Sequence, residues 1–202
     1  MTSTRAVMDV RALPRTVFGH RALMWWGTLG FIVIEGSTLF ICAVSYFYLR
    51  RNFATWPPEH MIRPALLIPS IQAGLMLLSN IPMRAVDRAS TRMDLHDVRR
   101  GMLLCSVLIV AMTVLRVFEF GALNVRWDSS AYGSAAWATL VAHTTLLFLE
   151  MAETVAITVL LFGSEVEERD LSGVSDNALY WYFLTATWIP LYVMVYLSPY
   201  FM

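Results

Sequence analysis

Six ionisable residues stand inside runs of apolar sequence, where each needs a reason to exist: Glu35, Arg116, Glu119, His143, Glu150 and Glu153. Arg116 and Glu119 are i, i+3 neighbours, so on a helix they share a face and can form an ion pair, with Arg116 expected to snorkel toward the outer end. His143 and Glu150 are seven residues apart and share a face, with Glu153 on the adjacent ridge. With Glu35, this set can make a hydrogen-bonded polar core or a proton relay. A metal is a weaker fit: di-iron bundles take Glu-x-x-His pairs from two helices, and here the order is reversed and no second helix supplies a pair. A bis-histidine haem is excluded as well, because His20, His60 and His96 fall in the tail or loops and leave His143 alone. No side chain is therefore assigned a catalytic, cofactor-binding or metal-binding role, and the six remain candidates for buried polar, proton-handling or lipid-linked work.

The elements that would position them are membrane spans. Hydrophobic residues make up 57% of the 202 residues and mean hydropathy is +0.58, above what a soluble domain of ordinary composition carries. Apolar windows fall at about residues 22–49, 65–83, 101–123, 134–163 and 178–198. The first, at 1.5 Å rise per residue, covers about 42 Å against a hydrocarbon core of about 30 Å, which puts Glu35 near the bilayer centre. An ionisable group there costs at least about 2.5 kcal/mol, so Glu35 should point into protein. The second window holds Pro64, Pro69 and Pro82 and is expected to begin and end at prolines, with a kink at Pro69. The expected architecture is an all-α bundle of five transmembrane helices, residues 22–202, behind a tail, residues 1–21. The first run is too long for a signal-peptide core and is read as a retained span.

Ten of the fifteen arginines fall in the tail, in the segment holding Arg84, Arg88, Arg92, Arg99 and Arg100, and at Arg169. The positive-inside rule then puts the N-terminus in the cytoplasm and the C-terminus outside. Trp25, Trp26, Trp56, Trp127, Tyr180, Trp181, Tyr196 and Tyr200 read as interfacial anchors near span ends. Net charge is zero, so no basic field attracts nucleic acid. Cys42 and Cys105 sit in apolar runs without metal-ligand spacing, and neither a disulfide nor structural zinc is expected. The absence of an internal repeat speaks against a transporter built on inverted repeats.

Five fragments, in order, resemble subunit III of the haem-copper respiratory oxidases. Ile34-Glu35 with Leu39-Phe40 is similar to that family's buried-glutamate helix, and Trp56-Pro57-Pro58 follows it. Leu115-Arg116-Val117-Phe118-Glu119-Phe120 resembles Leu-Gln-x-x-Glu-Tyr. Ser130-Ala131-Tyr132-Gly133-Ser134 looks like a Tyr-Gly-Ser helix start, with His143 at the place of the family's first histidine. Tyr180-Trp181-Tyr182-Phe183, Trp188 and Tyr192 resemble the closing Tyr-Trp-His-Phe-x-Asp-x-x-Trp helix. The departures are Leu146 for the second histidine, Arg116 for the glutamine, Tyr182 and Thr185 for the last-helix His and Asp, and Glu150 and Glu153 for small or apolar residues. The chain is similar to a divergent five-helix bacterial form that lacks the first two helices of the long subunit, so the family's V-shaped lipid cleft is expected to be missing or remodelled.

The resemblance implies a multi-pass protein of the bacterial plasma membrane, without a redox centre of its own. It implies packing on subunit I, phospholipid binding, and support of proton uptake and turnover stability. Haem and copper belong to subunits I and II, which reduce oxygen to water with proton pumping and meet cytochrome c or quinol themselves. Three other readings stand beside this one: a subunit-III-like protein associated with nitric oxide reductase, a small proton channel or transporter, and a stand-alone membrane enzyme using His143, Glu150 and Glu153.

Overall fold

The computed structural model describes residues 16–58, 61–163 and 166–201. Arg5, Arg11 and Arg15 of the tail, His60, Glu165 and Met202 lie outside the described residues. Five long helices carry the fold: α1 Leu23–Arg50, α2 Leu67–Thr91, α3 Leu95–Ala122, α4 Ala131–Gly163 and α5 Glu168–Tyr192. A π-helical turn, Val193–Leu197, and a short helix α6, Ser198–Phe201, continue α5. No strand occurs among the described residues.

Among the described residues, four stretches are long and apolar enough to cross a membrane: α1, α3, α4 and Glu168–Phe201. Their large apolar side chains turn outward, as with Phe31, Ile34, Phe40 and Ile41 on α1, Val117 and Phe118 on α3, and Phe148 and Val159 on α4. The interior combines methionine, leucine and aromatic side chains with polar ones, among them Gln72, Ser79, Ser106, Thr139 and Asn177. Lipid already solvates leucine, so interhelical contact gains most from close packing and from hydrogen bonds that hydrocarbon cannot offer. α4 packs on α1, α3 and α5, and α5 packs on α1, α2 and α4, so these two helices are the centre of the bundle. α1 is peripheral and buries Leu39 and Tyr46.

Three helices differ from the apolar windows: α2, α5 and α3, which begins at Leu95, six residues early. α2 runs through Pro82 to Thr91, eight residues past the window, and Pro69 lies in its first turn, where a missing N–H costs nothing. Pro82 lies inside the helix and removes the helical donor to the Leu78 carbonyl, and in the preceding turn the Asn80 amide bonds to the carbonyls of Met76 (2.9 Å) and Leu77 (3.1 Å) and to Thr185 Oγ1 (3.2 Å) of α5. Most of the expected loop between the second and third spans is therefore helix, leaving Arg92, Met93 and Asp94 as a tight connection. Met93 takes a left-handed conformation (φ 59°), and Asp94 caps α3 by accepting from the Asp97 amide (3.2 Å). Past the turn, Gly101 lies so close to Val86 that a methyl group at Gly101 would collide with it.

α5 starts ten residues before its apolar window, at a capping box in which Glu167 and Asp170 satisfy each other's backbone N–H groups. This early start overturns two of the eight expected anchors, and burial overturns two more. Tyr180 and Trp181 lie three turns inside α5 and are buried, as are Tyr196 in the π turn and Trp56. Trp26 and Trp127 are exposed near helix ends, as an anchor requires.

Candidate functional site

The six ionisable candidates separate into two clusters about 10 Å apart along α4, the seven-residue rise from His143 to Glu150. Leu146 and Leu147, both buried, lie between them. One joint core containing His143, both α4 carboxylates and Glu35 is not what the chain builds.

The first cluster joins α3, α4 and α5. Arg116 does not snorkel, since its side chain is completely buried. Its Nη1 lies 2.9 Å from Glu119 Oε2, and the carboxylate is equally enclosed. Trp188 on α5 supplies a face under the guanidinium, with Cζ 3.7 Å from the ring centroid, a cation–π contact strengthened by the absence of water. Nη2 points at His143 Nδ1 (3.3 Å), and His143 Nε2 faces the Leu184 carbonyl (3.1 Å). Arginine can only donate, so Nδ1 accepts and Nε2–H donates to the carbonyl, which fixes a neutral imidazole. Tyr196 donates to the Glu119 backbone carbonyl (3.3 Å) from the π turn that begins three residues after Pro190. Proline removes one helical donor, and the wider turn that follows carries the Tyr196 phenol to α3. The cluster is charge-balanced and couples three helices.

The second cluster lies between α1, α4 and α5. Glu35 Oε2 accepts from the Tyr180 hydroxyl, so its partner is a phenol on α5 and not His143. Glu150 is fully buried; its Oε1 accepts from Asn177 Nδ2 (2.8 Å) and from Thr154 Oγ1 (3.3 Å). Glu153 is exposed, one turn from Glu150 on the wall of the cleft between these helices. Asp176, placed by its sequence setting in a polar loop, is buried on α5 and lines the same cleft as Glu35, Glu150 and Glu153. A polar spine continues down α4: Thr158 Oγ1 contacts Ser106 Oγ (2.8 Å), and Arg99 Nε donates to the Leu161 carbonyl (2.6 Å) at the helix end.

Asp176 and Asn177 lie just before the apolar window that starts at 178, and Tyr180, inside that window, reads as an interfacial anchor, so none of the three stands out as a site residue in the sequence. The signal for the earlier helix start was present: Leu171, Val174 and Ala178 recur at helical spacing behind the Glu167/Asp170 cap, and all three are buried.

The family described as cytochrome c oxidase subunit III matches residues 16–200, a stretch that holds all five helices and both clusters. The chain belongs to the cytochrome c oxidase subunit III family. It is 21% identical over 182 residues to cytochrome c oxidase subunit 3 of Synechocystis sp. (strain ATCC 27184 / PCC 6803 / Kazusa), covering 89% of this chain and 77% of that protein. As a subunit III it is a membrane protein of a multi-subunit respiratory oxidase complex. Both clusters are thus features of a subunit III, each joining the two central helices α4 and α5 to a third, α3 for one and α1 for the other.

Proposed function

We propose that this chain is the non-catalytic subunit III of a haem-copper terminal oxidase in a bacterial plasma membrane, packed on subunit I and bound to phospholipid. There it supports proton uptake and resistance to inactivation while subunits I and II carry the haems and copper. The observation that carries this reading is the family match over every helix. The chemistry of the histidine agrees with it: His143 has one ring nitrogen on Arg116 and the other on Leu184, so neither is free to ligate iron or copper.

Five spans and a cytoplasmic N-terminus belong to the same proposal. Residues 67–83 of α2 are uncharged and cover about 25 Å, and Arg84 and Arg88 then extend beyond the hydrocarbon on the side where α1 and α5 begin. Arg21, Arg92, Arg99, Arg100 and Arg169 crowd that same end of the bundle, which the positive-inside rule assigns to the cytoplasm.

The test is oxygen consumption by the oxidase purified from cells with and without this gene. The proposal predicts an unchanged initial rate and normal haem content in both, with faster loss of activity over repeated turnovers when the chain is missing. Complete loss of the initial rate with haem content intact would overturn the supporting role.

A further inference from the structure

The cleft that holds Glu35, Glu150, Glu153 and Asp176 has a volume of about 360 Å³ and no basic side chain on its walls. It runs from Met24, in the first turn of α1, to Glu35 and Glu150, which lie about 18–20 Å along their helices from that end. Four carboxylates without a cation inside a span cannot all be ionised, because each bare charge in hydrocarbon is too costly. Their ligand atoms do not converge on a point: the described His, Cys, Asp and Glu groups compact enough for one ion are Asp94, His96 and Asp97, far from the cleft. The occupant that suits separated carboxylates at this depth is the proton.

The bonding of Glu150 shows where a proton belongs. Oε1 accepts from Asn177 Nδ2 (2.8 Å) and shares the single Thr154 hydroxyl hydrogen with Asn177 Oδ1 (3.3 and 3.4 Å), while the buried Oε2 has no hydrogen-bond partner among the described residues. Oε2 is thus the oxygen left to carry hydrogen. The groups facing Glu150 are Glu35 from α1, Cys105 from α3, Glu153 and Thr154 from its own helix, and Asp176, Asn177 and Tyr180 from α5. Every ionisable member of this set is an acid, so nothing nearby competes for the proton as a fixed cation would.

We propose that Glu150 is a proton-binding site that loads and releases its proton through this cleft, toward the end of the bundle where α1 and α5 begin. On release the Oε2–H bond breaks, the proton passes to a water or to the carboxylate of Glu153 or Asp176, and Glu150 remains as an anion held by Asn177 and Thr154. Reloading reverses the step with a proton from the aqueous phase. Asp176 is about 12 Å and Glu153 about 15 Å along their helices from that end, so the acids descend in steps to Glu150. Beyond Glu150 the route closes. Leu146 and Leu147 fill the next turn, and His143 follows with both nitrogens engaged beside the Arg116 cation. The cleft therefore stores and exchanges protons on one side and is not a channel.

The experiment is infrared spectroscopy of the full chain in lipid bilayers, a readout that needs no oxidase partner and so fails or succeeds apart from the oxidase assignment. The expected result is a protonated-carboxyl C=O band at neutral pH that shifts down in D₂O and disappears in Glu150→Gln. Asn177→Ala, which removes a donor to Oε1 and leaves the carboxyl in place, should move the same band to higher frequency. Asp176→Asn should leave the band but slow its deuterium shift. A band unmoved by D₂O, or one indifferent to both Glu150→Gln and Asn177→Ala in normally helical protein, would overturn the proposal.

Discussion

Tyr180 donates its hydroxyl to Glu35 Oε2, and this hydrogen bond joins the peripheral helix α1 to the central helix α5 at mid-depth. α1 buries little else, so the contact bears on how firmly that helix is held.

Glu35→Gln keeps an acceptor for Tyr180 and should be nearly silent in assembly and in initial oxygen consumption. Glu35→Leu leaves the buried phenol without a partner and should destabilise the folded chain by about 1–3 kcal/mol. Thermal unfolding in mild detergent checks both variants, and Tyr180→Phe combined with Glu35→Leu should recover part of the loss. Equal melting of Gln and Leu variants would contradict the role of this bond.

The Arg116–Glu119 pair should behave as a unit. Arg116→Met leaves the Glu119 carboxylate enclosed without its cation and should cost about 3–5 kcal/mol, whereas Arg116→Met with Glu119→Gln should cost clearly less. A double-mutant cycle in detergent measures the coupling; additive losses would show that the two side chains act separately.

Gly101→Ala should destabilise the α2–α3 hairpin by about 1–3 kcal/mol, because the added methyl meets the stiff, branched side chain of Val86. Gly121→Ala, near the other end of α3, meets nothing and should be neutral or slightly stabilising. The two melting temperatures should therefore move in different directions or by very different amounts.

In the loop between α3 and α4, Arg126 holds both Asp128 carboxylate oxygens, at 3.0 and 2.8 Å. The guanidinium hydrogen bonds keep the Asp128 carboxyl below the usual carboxylate range. Whatever this exposed pair contributes is present above the unfolded carboxylate pKa of about 3.9 and is lost as pH falls through the lower folded value. NMR titration of Asp128 should show the depressed midpoint, and Arg126→Gln should return it upward.

Much of the bundle was legible in the residues and part of it was not. The apolar windows located α1 and α4 and the C-terminal end of α3 closely because lipid-facing and buried positions are both apolar there. They failed at the end of α2 and the starts of α3 and α5 because the outer turns leave the hydrocarbon, where Arg84, Asp87 and Arg88, Arg99 and Arg100, or Arg169 and Ser172, are admissible on a helix. The i, i+3 spacing was enough to foresee the Arg116–Glu119 pair. Its full burial was not foreseeable, since that depends on Trp188 and Tyr196, which reach Arg116 and Glu119 from another helix. The partner of Glu35 was hidden for the same reason: Tyr180 is 145 residues away in sequence and looked like an anchor.

Single cysteines placed in a chain without Cys42 and Cys105 test the topology. Position 93, in the α2–α3 turn, should react with an impermeant reagent from the cytoplasmic side, and position 129 from the opposite side. Reaction of both from one side would mean that α3 does not cross.

The central claim, membership of an oxidase complex, is tested most directly by affinity purification of a tagged copy in mild detergent, with an optical spectrum and peptide identification of what accompanies it. The account predicts a haem spectrum that belongs to co-purified oxidase subunits I and II and vanishes when the chain is isolated from them. A haem spectrum retained by the isolated chain, or recovery of a nitric oxide reductase in place of an oxidase, would contradict it.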